Sequence, residues 1–199
     1  TSELLGSTIE YGDIKLHVLA PAHDVAYENK PKEPDELGVR SDDWYIDLRT
    51  LIDNVDDDDI DEGGTNSQSI IILAECEGKK LLLPGDSTPK KLCDALQSYN
   101  KTNGTPLELD FMKLPHHGST RNVTKNILNE VTCSNFIIST KKNNKYYLPN
   151  KETIAKLIRY RDSADKAINV YFNYQESLDV LGITAEELTE NNINLNVCN

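Results

Sequence analysis

Positive charge is scarce in this sequence: 21 Lys and Arg stand against 33 Asp and Glu, a formal net charge of -12. That balance excludes a broad basic surface for nucleic acid on the chain alone, although a partner or a metal ion would supply the missing charge. Acidity of this kind also favours solubility. No apolar run reaches the length of a membrane span and no signal peptide is visible, so no membrane association is expected. Cysteines are few and scattered. Cys76, Cys93, Cys133 and Cys198 form no C-x-x-C pair, which argues against a zinc knuckle. Cys76 and Cys133 flank or lie in apolar runs, where a thiol behaves as a small hydrophobe. A reduced, cytoplasmic setting is the simplest expectation. Three N-x-T sequons, at Asn100, Asn103 and Asn122, would matter only in a secretory pathway.

Apolar residues make up 38% of the 199, enough for one core in one domain or in a large piece of a bigger one. The chain opens on Thr1 without an initiator Met. A processed or trimmed start, or an origin inside a longer protein, is therefore expected.

Apolar periodicity predicts an α/β order of elements. Thr8 to Tyr11 and Ile14 to Ala20 read as strands around a turn at Gly12-Asp13, with Pro21 ending the second. Glu28 to Asp43 is rich in Lys, Glu, Asp and Pro and reads as a loop. Spacings of three and four predict a helix over Trp44 to Val55, capped by Ser41-Asp42. Asp56 to Asp59, Asp61 and Glu62, closed by Gly63-Gly64, form an acidic run without the alternating ligands and distal Glu of a calcium loop, so a solvated loop is expected. Together these make an acidic loop and helix insertion around 28–65. Ser69 to Glu75 and Lys79 to Leu83 read as a buried hairpin around Gly78. Helices are predicted over Pro89 to Tyr99, Val123 to Val131 and Glu152 to Tyr160. Strands are predicted over Leu107 to Leu114, Asn135 to Thr140 and Ala167 to Tyr174. Thr184 and Glu187 make a capping box for a short helix to Asn191, and Asn194 to Val197 is a final edge strand.

Chemistry concentrates at two strand ends. One closes in Leu83-Pro84-Gly85-Asp86 and the other in Leu114-Pro115-His116-His117-Gly118-Ser119. A strand that stops on an Asp and another that stops on a His pair can direct both into one cleft, an arrangement that suits a metal ion and activated water. His17 alternates with Leu16 and Val18 inside a strand and reads as a half-buried structural residue, and His23 as a loop residue. Lys141, Lys142 and Lys145 flank Asn143-Asn144 and read as a lysine-rich hairpin turn.

In this order the features resemble the metallo-β-lactamase superfamily. The branch is the one that includes the hydrolase domain of bacterial DNA-uptake channels, to which stand-alone hydrolases of bacterial defence operons are similar. The resemblance rests on Asn66-x-x-Ser69, Leu81-Leu82-Leu83-Pro84-Gly85-Asp86, Asp110 to Ser119, Ile137-Ile138-Ser139-Thr140 and Val170 to Tyr174. It implies an αββα sandwich, with zinc or manganese at the sheet edge and hydrolysis of a phosphodiester by metal-activated water. Asp86 would match the carboxylate that binds or bridges the metals. His116 and His117 would match the pair at the rim, one of them binding metal or touching substrate phosphate. Ser119 precedes a helix start, where its hydroxyl and free backbone N–H groups would hold an anionic substrate oxygen.

The departures matter equally. The family's leading ligand motif, H-x-H-x-D-H, is absent, and where a late H-P-H or H-P-D cluster is expected the chain reads Tyr147-Leu148-Pro149-Asn150. Asp86, His116 and His117 supply at most three ligands, so weak or no metal binding by the chain alone is expected. Two expectations follow. Either the chain is the C-terminal part of a hydrolase whose ligand-bearing segment lies upstream or on a partner chain, or its site has decayed and it serves as a binding or scaffolding protein.

Overall fold

The computed structural model describes residues 6–20, 42–104 and 106–198. His23, Ser41 and positions 28–41 of the expected loop lie outside them. The architecture is mixed α/β. Strands β1 (Thr8–Tyr11) and β2 (Ile14–Ala20) are followed by helix α1 (Leu48–Asp53), then by the hairpin of β3 (Ile71–Cys76) and β4 (Lys79–Leu83). Next come α2 (Pro89–Asn103), β5 (Leu107–Glu108), β6 (Phe111–Lys113), α3 (Lys125–Asn129), β7 (Val131–Thr132) and β8 (Asn135–Ile138). The chain closes with α4 (Lys151–Tyr160), β9 (Ile168–Phe172), α5 (Gln175–Asp179), α6 (Ala185–Glu190) and β10 (Ile193–Val197). Eight strands make one sheet in the order β1-β2-β3-β4-β6-β8-β9-β10, and β5 pairs with β7 apart from it. Strands β1 to β4 run antiparallel in succession, whereas β4, β6, β8, β9 and β10 are parallel. None of the helices among the described residues is long and apolar enough to cross a membrane.

The two faces of the sheet differ. Leu73, Leu82, Met112, Phe136 and Val170 stand in one row across five strands, and each is buried. Helical residues such as Leu48, Leu92, Leu96, Ile127 and Leu157 close over this row in a single core. One residue along, Ile9, Leu16, Ala74, Leu81 and Phe111 form the neighbouring row on the opposite face. That row is open: Ile9 is 40% and Phe111 38% exposed, and Leu16, Ala74 and Leu81 are half-buried and outside the core packing. Runs such as Ile70-Ile71-Ile72-Leu73-Ala74 and Leu81-Leu82-Leu83 are continuous in apolar character, the composition of strands covered on both sides. The helices described cover one. Toward β10 the open face turns polar, where Asn169 Nδ2 donates to Asn135 Oδ1 and Asn194 Nδ2 to Asn169 Oδ1, each at 2.9 Å.

Several expected boundaries move. The helix expected over Trp44 to Val55 is confined to Leu48–Asp53, because Asp47 caps it: its carboxylate accepts from the Thr50 amide at 2.7 Å. Trp44 is instead drawn toward Pro149, whose carbonyl accepts from the indole N–H at 2.8 Å. The single strand expected over Leu107 to Leu114 divides at Asp110. Its first part pairs with β7 and its second with β4 and β8, while the Asp110 carboxylate accepts from the Lys80 amide. The helix expected over Val123 to Val131 is shorter because Thr124 caps it and Val131 joins β7. The capping box at Thr184 and Glu187 forms.

Candidate functional site

The loops that leave β4, β6, β8 and β9 all emerge at the carboxyl ends of parallel strands, the edge at which open α/β sheets place their ligands. Four of them are stitched together. The His116 amide donates to the Gly85 carbonyl at 3.1 Å, which joins the loop carrying Asp86 to the loop carrying the His pair. His117 Nδ1 lies 2.8 Å from the Ser139 carbonyl. Asn173 accepts from the Thr140 amide at 3.1 Å. His117 Nε2 faces Asp86 Oδ1 at 3.8 Å, both side chains being 43% exposed. His116 and His117 sit at φ 44° and 60°, in the left-handed region, followed by Gly118 at 82°. Two successive non-glycine residues in that region are uncommon and cost about 1–2 kcal/mol each.

His116 turns elsewhere than expected. Its Nδ1 lies 3.4 Å from Asp61 Oδ2 and an equal 3.4 Å from Asn66 Nδ2. Asp61 was expected in a solvated loop, yet its side chain is only 11% exposed. It accepts from Asn66 Nδ2 at 2.8 Å, Asn122 Nδ2 at 2.9 Å and the Gly63 amide at 2.8 Å. The reason is visible two and four residues upstream. Asp57 pairs with the fully buried Lys156 at 2.9 Å, Asp59 pairs with Arg121 at 3.0 Å, and Asp61 faces His116. Residues 57, 59 and 61 thus meet Lys156, Arg121 and His116 in turn as the segment crosses the helical side of the molecule. The acidic run is thus a docked strap, and Asp61 is the site residue that the sequence reading missed. Nothing local singles it out among the six acidic residues of 56–62.

The electrostatics follow from this docking. Burial pushes the Asp61 carboxyl up, but the donors from His116, Asn122, Asn66 and Gly63 together hold it well below the usual carboxylate range. The hydrogen bond to Asp61 raises the His116 imidazole above its ordinary value against the opposing pull of burial, with Asp86 adding to the rise. Burial lowers the nearby Lys113 ammonium, and Asp86 partly opposes it.

Asp86, His116 and His117 do not converge on one point. Among the described residues no group of three or more His, Cys, Asp or Glu side chains is gathered to hold a metal ion. By themselves these donors do not fit a complete metal centre: Asp86 and His117 form one pair, Asp61 and His116 another. Ser119 is buried, and three amides in its turn are already engaged. Ser119 N–H donates to His116, Asn122 N–H to Ser119 and Thr120 N–H to the Asn150 side chain. Asn150 therefore spends its oxygen on the loop at 120. Leu148 is buried and its backbone bonds Asn143 in both directions. The turn falls later than expected, over Asn144 to Tyr147 and closed by the Asn143–Leu148 bridge, so that of the three lysines only Lys145 lies in it, while Lys142 Nζ sits over the Trp44 ring. His17 is half-buried between Thr8 and Glu75, as a structural histidine.

No family model matches the chain, and no curated protein matches it in sequence.

Proposed function

We propose that the chain is the part of a metallo-β-lactamase-like αββα hydrolase that carries Asp86 and the His116-His117 pair, and that the assembled site acts on phosphodiesters, as in nucleic acid. The observation that carries this reading is the meeting of Asp86 and His117 at the carboxyl ends of the adjacent strands β4 and β6, stitched by the His116 amide to Gly85. The open apolar row from Ile9 to Phe111 supports the fold assignment, because a second sheet packed there would complete a four-layer sandwich. That sheet would come from an upstream segment or from a partner chain, together with the ligands that Asp86 and His117 lack. Zinc or manganese is the cofactor the resemblance implies. Nucleic acid would approach this acidic chain only with a metal or a basic partner present.

A second reading is favoured by Leu148 and Asn150, which occupy the place of a ligand cluster with a buried leucine and an engaged amide. Here the site is inert and the apolar face binds another protein. Metal analysis by mass spectrometry of the full-length protein, with any partner that completes the site present, and hydrolysis of bis(p-nitrophenyl) phosphate in zinc and in manganese separate the two. The hydrolase reading expects bound metal and turnover, both falling by roughly 100-fold or more in Asp86→Ala and His117→Ala. Metal-free protein with no turnover in either metal leaves only the binding reading.

A further inference from the structure

Asp61 bears on how His116 presents itself. The carboxylate is the last of three that dock the strap, and it is held from several sides: Gly63 N–H on one oxygen, Asn66 and Asn122 amides on the other. Its Oδ2 faces His116 Nδ1 at 3.4 Å. An ionised carboxylate only accepts hydrogen bonds. A lone pair on Nδ1 would be repelled there, whereas a hydrogen would be attracted. The Asn66 amide is equally close to Nδ1, but it is committed to Asp61 at the shorter distance of 2.8 Å. His117 is in the same situation by a different route: the Ser139 carbonyl, also an acceptor only, lies at hydrogen-bond distance from its Nδ1, 2.8 Å, whereas the Asp86 carboxylate facing its Nε2 stands beyond that distance at 3.8 Å. We infer that Asp61 is the positioning residue of His116: with the Ser139 carbonyl acting on His117, it fixes both imidazoles as Nδ1–H tautomers and reserves both Nε2 lone pairs for the candidate site. In a histidine the partner of one nitrogen sets what the other can do. A strap reaching across from residues 57–61 thereby controls the chemistry offered by a loop more than fifty residues away.

The use of those lone pairs rests on the proposed function, but the tautomers do not. Long-range 1H–15N correlation spectra of the histidine-labelled chain, in alkaline solution where free imidazoles are neutral, read the two ring nitrogens separately. Signals are assigned with His116→Ala and His117→Ala. The expected spectrum has a pyrrole-like Nδ1 and a pyridine-like Nε2 for both residues. Asp61→Asn, whose amide can donate, should shift His116 toward the Nε2–H form and leave His117 unchanged, and Asp86→Asn should leave His116 unchanged. An Nε2–H form of His116 in the unaltered chain overturns the inference without need of a variant. So does an Asp61→Asn chain, folded by circular dichroism, in which His116 keeps its tautomer. Loss of hydrolysis with the tautomers as expected would sink the proposed function and leave this inference standing. Turnover with the opposite tautomer would do the reverse.

Discussion

Asp43 shows how one residue can carry the pH dependence of a helix start. It lies just before the Trp44 turn and is buried, and its carboxylate accepts from the Glu152 amide at 2.8 Å, capping α4 from outside the helix. Lys151, the first residue of α4, answers by donating to the Trp44 and Ile46 carbonyls, both at 2.8 Å. Burial pushes the Asp43 carboxyl from 3.8 up to about 6, against the lowering pull of the backbone amides. With a raised folded value, the native state holds its proton longer than the unfolded chain does. The associated stability is complete below about pH 3.8 and is lost as pH rises through about 6. The difference is on the order of 3 kcal/mol. Chemical denaturation of Asp43→Asn should therefore show a flatter stability profile than the unaltered chain across that window, and an identical slope in both would contradict this account.

At the scale of elements, the strap and α4 are joined by a buried charge. Lys156 is fully buried and donates to the Thr120 and Val123 carbonyls besides pairing with Asp57. Removing one partner of such a pair leaves the other charge uncompensated, and the consequence depends on which remains. Asp57→Asn strands a buried ammonium and should cost about 3 kcal/mol. Lys156→Met leaves a carboxylate that is 27% exposed and still bonded to the Lys125 amide, so its loss in urea denaturation should be the smaller. A larger loss for Lys156→Met would show that the bonds from Lys156 to the Thr120 and Val123 carbonyls outweigh its pairing with Asp57. Local elements of this kind differ in how far the sequence reveals them. The β3–β4 hairpin, α2 and the Thr184–Glu187 box are encoded by neighbouring residues, and the reading found them. The division at Asp110 was hidden, because Leu107, Leu109, Phe111 and Met112 continue one strand-like apolar pattern through it while the two parts serve different partners. Asp61 was hidden for a similar reason: its significance depends on Asn66, His116 and Asn122, which only the fold brings near.

For the whole molecule, the informative contrast is between Leu81 and Leu82. They are chemically identical neighbours on β4, one on the open face and one in the core. Leu82→Ala should cost about 3 kcal/mol through a cavity that its surroundings cannot fill. Leu81→Ala, beside the exposed Phe111, should cost under about 1 kcal/mol in the isolated chain. Thermal unfolding of the two variants tests this, and equal losses would mean that the open face is covered in solution. The α/β class was legible because the strands recur with helices between them. The one-sided covering was not, since apolar runs on β3 and β4 predict burial on both faces without saying what provides it.

The left-handed His116-His117 pair has a consequence for selection. Glycine would take up the same backbone with no steric objection, so a sequence shaped only by folding has a cheaper choice at both positions. Keeping two imidazoles there trades conformational comfort for side chains, and the loss is recovered through Gly85, Ser139 and Asp61. Two imidazoles at positions where glycine would be unstrained are the pattern of strain that clusters at functional turns.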